Sequence, residues 1–207
     1  GREFAVVASD LPQEQAWYTC RLAVISMDGG PVRTLHFSKR QVGNPAWSPD
    51  GGTVAFLSSN WSDRGLAAGS VFVATPGGSV RDLSEGQRSS AFALAWSADG
   101  RRLMTFDQEQ GGMGVAEIDV ATGERTSLYH GDMAFSASST AFSKNRAGNV
   151  AAVSESATSP ADVGVARREG DGLRWSHLSR MHPQRSDFDI GETETLHWTG
   201  ADGWEMQ

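Results

Sequence analysis

The chain contains one cysteine, Cys20, so no disulfide can form within it. With no second cysteine or nearby histidine at ligand spacing, Cys20 does not anchor a conventional zinc site and reads as a small core residue. There is no apolar run of about 18 residues, which excludes a membrane-spanning helix. The start, Gly1-Arg2-Glu3-Phe4, lacks a basic stretch followed by an apolar one, so no export signal is legible. The expected setting is therefore reducing and cytoplasmic, and the missing initial methionine suggests truncation. Positive charge is also scarce: 18 Lys and Arg stand against 25 Asp and Glu, a net charge of -7, which argues against binding a phosphate backbone. Neither nucleic acid nor membrane is expected as a partner.

Catalytic motifs are absent too. A serine hydrolase with a nucleophile on a strand-to-helix turn needs Gly-x-Ser-x-Gly followed by an acid and a histidine. The nearest approach, Gly77-Gly78-Ser79-Val80-Arg81, lacks the closing glycine and sits among turn residues. His36, His130, His177, His182 and His197 form no metal-binding pair, and His36, His177 and His197 fall in expected strands. Gly111-Gly112-Met113-Gly114 lacks the Lys-Ser/Thr of a phosphate loop and reads as a hairpin. Asn60-Trp61-Ser62 fits a glycosylation pattern that matters only after export, and is read as coincidence. No catalytic, cofactor-binding or metal-ligating residue is assigned, and no cofactor is expected.

What the chain does have is a repeat. Pro45-Ala46-Trp47-Ser48-Pro49-Asp50-Gly51 returns as Leu94-Ala95-Trp96-Ser97-Ala98-Asp99-Gly100, the tryptophans 49 positions apart. A weaker copy, Thr140-Ala141-Phe142-Ser143-Lys144-Asn145, follows 46 positions later. After each copy come short alternating strands separated by Gly-rich turns. In the first these are Thr53 to Ser58, Val71 to Ala74 and Val80 to Leu83. Asp50-Gly51 and Asp99-Gly100 supply positive-φ turns, and the repeated aromatic can fill the space between neighbouring sheets.

Four short strands per repeat, with a period in the high forties and few helix signals, predict an all-β partial β-propeller of about three and a half four-stranded blades. The expected boundaries are a blade remnant at about 1–40 and blades at about 41–88, 89–134 and 135–183, all within a propeller region 1–190. An open arc exposes sheet edges and unfilled blade interfaces. The remaining blades are therefore expected from another segment or chain, and homo-oligomers are compatible with this.

Repeats carrying Trp-Ser-Pro-Asp-Gly resemble the propellers of TolB-like proteins and of the prolyl oligopeptidase family. The later segments favour the second. Ser154-Glu155-Ser156-Ala157-Thr158-Ser159-Pro160 resembles the last blade of acylaminoacyl-peptidase-like enzymes, where a Ser-Pro pair precedes the third strand. Leu178-Ser179-Arg180-Met181-His182-Pro183 follows where that family has Leu-Thr…Asn-Pro. Residues 191–207, with Trp198-Thr199-Gly200-Ala201-Asp202-Gly203-Trp204, resemble the linker and entry strand of the family's α/β-hydrolase domain, with one more residue between Trp and Asp-Gly than the blade motif has.

The resemblance implies a serine peptidase, with this chain as its non-catalytic, substrate-gating propeller. Its partners would be the remaining blades, a hydrolase domain in the same polypeptide or another, and a short peptide or acyl-peptide substrate. The alternative is a TolB-like interaction module without enzymatic activity. The chain has no adjacent Glu-Glu, the pair that reads the substrate amino terminus in related dipeptidyl peptidases. A sialidase reading of the Asp50 turn fails because Val54-Ala55 replaces the expected aromatic.

Overall fold

The computed structural model describes residues 1–63, 65, 67–109, 111–135, 142–192 and 194–206. Thr140 and Ala141 of the third motif copy, and Gln207, lie outside the described residues. The fold is all-β, a partial β-propeller built from sheets whose strands follow chain order. The first sheet has three strands, β1 (Glu3–Ala8), β2 (Arg21–Ser26) and β3 (Arg33–Phe37). The second has four: β4 (Gln41–Trp47), β5 (Val54–Ser59), β6 (Ser70–Ala74) and β7 (Val80–Asp82). The third repeats that plan with β8 (Ser89–Trp96), β9 (Arg102–Glu109), β10 (Gly112–Asp119) and β11 (Arg125–Gly131). In the fourth, the first position is shared by β12 (Ala134–Phe135) and β13 (Phe142–Lys144), which both pair with β14 (Val150–Ser156). It continues with β15 (Ser159–Glu169) and β16 (Gly172–His177), and a separate ribbon of β17 (Trp198–Thr199) and β18 (Glu205–Met206) follows.

The central strands of the second and third sheets are apolar on both faces because those sheets are covered on both sides, so alternation gives two buried sets instead of one wet face. In β5, Val54 and Phe56 join a cluster with Leu22, Val24 and Leu35 of the first sheet. The intervening Ala55 and Leu57 point the other way, to Leu103 and Ile118 of the third. In β9, Leu103 faces the second sheet, while Met104 and Phe106 meet Val150 and Ala152 of the fourth. Every large cluster thus straddles a junction. The arc's end faces carry exposed apolar side chains, among them Phe4 and Phe37 on the first sheet and Val153 on the fourth.

The repeated tryptophans occupy these junctions. Trp47 packs on the cluster between the first two sheets, and Trp96 on that between the second and third. Phe142, at the third position, stacks on Phe106 with centroids 4.3 Å apart. Trp96 Nε1 also donates to the Ala46 carbonyl at 3.0 Å, whereas Trp47 Nε1 is buried without a partner among the described residues. Trp96→Phe should therefore lower unfolding stability by about 1–2 kcal/mol, the value of one tertiary hydrogen bond and some packing. Trp47→Phe should cost less, because it deletes a donor that bonds nothing. Urea midpoints of the two variants give the test, and the opposite ranking would contradict this arrangement.

The motif that follows each tryptophan folds into the same small network. Ser48 Oγ donates to Asp50 Oδ1 at 2.6 Å, and the same oxygen accepts from the Gly52 N–H. Ser97, Asp99 and the Arg101 N–H reproduce it one repeat later. The Ser48 and Ser97 hydroxyls hold both carboxyls below the usual carboxylate range, with the backbone donors adding to the effect. Gly51 and Gly100 have φ of 74° and 71°, the left-handed conformation that a glycine adopts without strain.

Candidate functional site at the chain-exit end

Antiparallel pairing sorts the connections onto two ends. At one end lie the tight Asp50 and Asp99 turns and the turns between the last two strands of each sheet. The other end carries the longer segments 9–20 and 60–69, the connections between sheets, and the Ala157-Thr158 turn. The chain also leaves there: β16 pairs His177 with Gly164, Leu178 N–H donates to the Val163 carbonyl at 2.8 Å, and the backbone departs from the sheets. Variable side chains on a fixed frame gather where loops are long, so this end is the candidate site.

Its loops are tied to the frame. The Gln41 side chain donates to the Trp61 carbonyl at 2.9 Å and accepts from the Trp61 N–H at 3.2 Å. Trp61 Nε1 donates to the Ala68 carbonyl. Gly43 lies under that indole, where a Cβ would come within 2.8 Å of the ring. In the segment between β1 and β2, a 3-10 turn at Glu14–Thr19 stacks Trp17 on Tyr18, centroids 4.3 Å apart.

The third sheet brings a polar network to this end. Asp107 is 2% exposed and accepts from Thr105 Oγ1 and Arg125 Nη2, each at 2.9 Å. Arg125 also bonds Glu109, whose other oxygen lies 4.0 Å from His130 Nε2. Burial raises the Asp107 pKa, and the Arg125 charge and the Thr105 hydroxyl offset this only in part. Beside the network opens a cavity of about 450 Å³ lined by Gln87, Arg88, Ser89, Glu109, Arg125 and His130. These groups can bind polar ligands through donors and acceptors.

At the fourth sheet, Asp162, His177 and Ser179 come together, which spacing along the chain did not suggest. They do not form a triad. Ser179 donates directly to the Asp162 carboxylate, so no imidazole is placed to take its proton. Asp162 also accepts from the Val163 N–H at 2.8 Å and the Met181 N–H at 3.2 Å. The Ser179 bond above all holds its pKa down.

Elsewhere the expectations meet the structure unevenly. Ser79 is exposed in the β6–β7 turn, 3.2 Å from Thr75 Oγ1. Gly111 to Gly114 enter a hairpin. His36 and His177 lie in strands; His197 does not, because the β17–β18 ribbon begins only at Trp198. The Ser159-Pro160 pair falls inside β15 and not before it, since a two-residue turn at Ala157-Thr158 closes the hairpin early. Among the described residues no cluster of three His, Cys, Asp or Glu could hold a metal, and no helix is long and apolar enough to cross a membrane.

No family model matches the chain. A segment of 105 residues, half of the chain, is 35% identical to an uncharacterized peptidase, YuxL, of Bacillus subtilis strain 168, and amounts to 15% of that protein's length. Among solved structures, the fold is similar to a puromycin-hydrolysing peptidase of Mycobacterium tuberculosis, with a TM-score of 0.64, 18% identity, and coverage of 87% of this chain and 28% of that one. It is equally similar to an oligogalacturonate lyase in complex with manganese, with a TM-score of 0.64, 16% identity and coverage of 86% and 50%. TolB from Acinetobacter baumannii gives a TM-score of 0.58, 15% identity and coverage of 97% and 45%. The chain thus spans half or less of each of these proteins. These likenesses show the fold. A peptidase, a lyase and TolB share it, so activity has to be argued from other features.

Proposed function

We propose that this chain is the propeller portion of a cytoplasmic serine peptidase of the prolyl oligopeptidase family, acylaminoacyl-peptidase-like. It would gate access of short peptides or acyl-peptides to a hydrolase domain that begins within residues 191–207. The observation that carries this reading is the environment of the second Trp…Asp-Gly motif type. Trp47 and Trp96 are packed between sheets, whereas Trp198 is 51% and Trp204 73% exposed on a ribbon that, among the described residues, pairs only with itself. A further blade would bury its tryptophan at a junction. An entry strand leaves it for an adjoining domain to cover, together with Leu178, Met181, Phe188 and Leu196, which are also exposed.

The sequence relative named as a peptidase supports the same reading. A domain on the exit end would sit over the long loops, which then restrict substrates by size and line the cavity between the two parts. The Ser-Asp-His machinery would lie entirely outside residues 1–207. The test is to label the native parent polypeptide with a fluorophosphonate probe and to map the adduct by mass spectrometry. A single modified serine beyond residue 207 is expected. An unlabelled parent whose next segment is another Trp-Ser-x-Asp-Gly repeat would overturn the reading in favour of an interaction propeller.

A further inference from the structure

We infer that the pocket beneath the exit segment is a binding site for a small, doubly charged oxyanion such as phosphate or sulfate. A cavity of about 440 Å³ lies between the β14–β15 turn, the end of β16 and the segment that follows. It is lined by His177, Arg180, His182 and Arg185, with the hydroxyls of Ser159 and Ser186. Gathering four basic side chains in one concavity is unexpected in a chain of net charge -7.

The two guanidinium groups are not ion-paired among the described residues. Elsewhere in the molecule Arg21, Arg33, Arg102, Arg125 and Arg168 each meet a carboxylate. Among the described residues, Arg180 and Arg185 have no such ion pair. The pocket's own acid, Asp162, keeps its charge and acts on His177, while its oxygens accept from Ser179 and from the N–H groups of Val163 and Met181, so it pairs with neither guanidinium. Arg185 is instead fixed by neutral acceptors. Its Nε donates to the Thr158 carbonyl, and its Nη1 to the Phe188 carbonyl at 3.3 Å.

A half-buried guanidinium oriented by carbonyls keeps its full charge and has already lost much of its rotamer freedom. An oxyanion beside it gains charge-assisted hydrogen bonds at reduced entropic cost. Two guanidinium charges favour a dianion over a monocarboxylate. Bound there, the anion would tie residues 179–186 to the fourth sheet and set how the exit segment leaves it. The site does not depend on the peptidase reading.

The test is calorimetric titration of the full chain with sodium phosphate, sodium sulfate and sodium acetate against sodium chloride at matched ionic strength. Hydrogen exchange of residues 178–188 is followed in parallel. Saturable binding of phosphate and sulfate, tighter than acetate by about tenfold or more, is expected, with slower exchange across that segment. Arg180→Gln with Arg185→Gln should weaken it by about tenfold or more, while Arg2→Gln, remote from the pocket, leaves it unchanged. Circular dichroism confirms that the double variant is folded, and Arg180→Lys alone provides a milder variant that should weaken binding less. Heat no different from chloride, equal affinity in the double variant, or tighter binding of acetate would each overturn the proposal.

Discussion

Replacing Phe106 by alanine is expected to lower the stability of the chain by about 3–5 kcal/mol, the range for deleting a buried aromatic ring and leaving a cavity. Phe106 is 1% exposed and holds three other rings: Phe142 stacked at 4.3 Å, Phe135 edge-on at 5.0 Å and Phe92 at 6.3 Å. Phe135 and Phe142 belong to β12 and β13, which both pair with β14, so the cavity opens at the seam between the third and fourth sheets. Urea unfolding monitored by tryptophan fluorescence is the measurement. A loss below about 1 kcal/mol would mean that the third and fourth sheets are not joined through this ring.

Arg125→Leu should be comparably severe at neutral pH, about 3–5 kcal/mol, because it strands the buried Asp107 carboxylate without its counter-ion. The sign of its pH dependence follows from the direction of the Asp107 shift. That pKa is already raised in the folded chain, and Arg125 is the charge that pulls it back. Without Arg125 it rises further. The folded variant then binds a proton more tightly than the unfolded chain does, and stability falls as pH rises from the ordinary carboxylate range through the raised value. The penalty should therefore be smallest below the ordinary carboxylate pKa and largest near pH 7. Adding Asp107→Asn should recover part of it at neutral pH. Denaturant midpoints of the two variants between pH 4 and pH 8 decide the matter, and a penalty independent of pH would show that Asp107 is not the group left exposed to the low dielectric.

The architecture was legible because the Trp-Ser-x-Asp-Gly copies join a local turn to a residue with a fixed place between sheets. Spacing alone therefore located three consecutive junctions, even the one where Phe142 replaces tryptophan. The Arg125 network was not legible. Asp107 follows the apolar run of β9, its partner lies 18 residues on, and the two meet only because β9 and β11 are second neighbours in a sheet. The gathering of Asp162, His177 and Ser179 escaped for the same reason, since pairing register brings them together and not sequence proximity. The positive φ of Asn44 beside the β4 bulge leaves no mark that a propensity argument could detect.

Because each apolar cluster is shared between two sheets, no single sheet owns a core of its own. Cohesion in such a chain resides in its seams, so its resistance to unfolding grows by one term per neighbouring pair. A cut between any two repeats would leave two greasy surfaces where there had been none, and the smallest cooperative unit is therefore a pair of sheets.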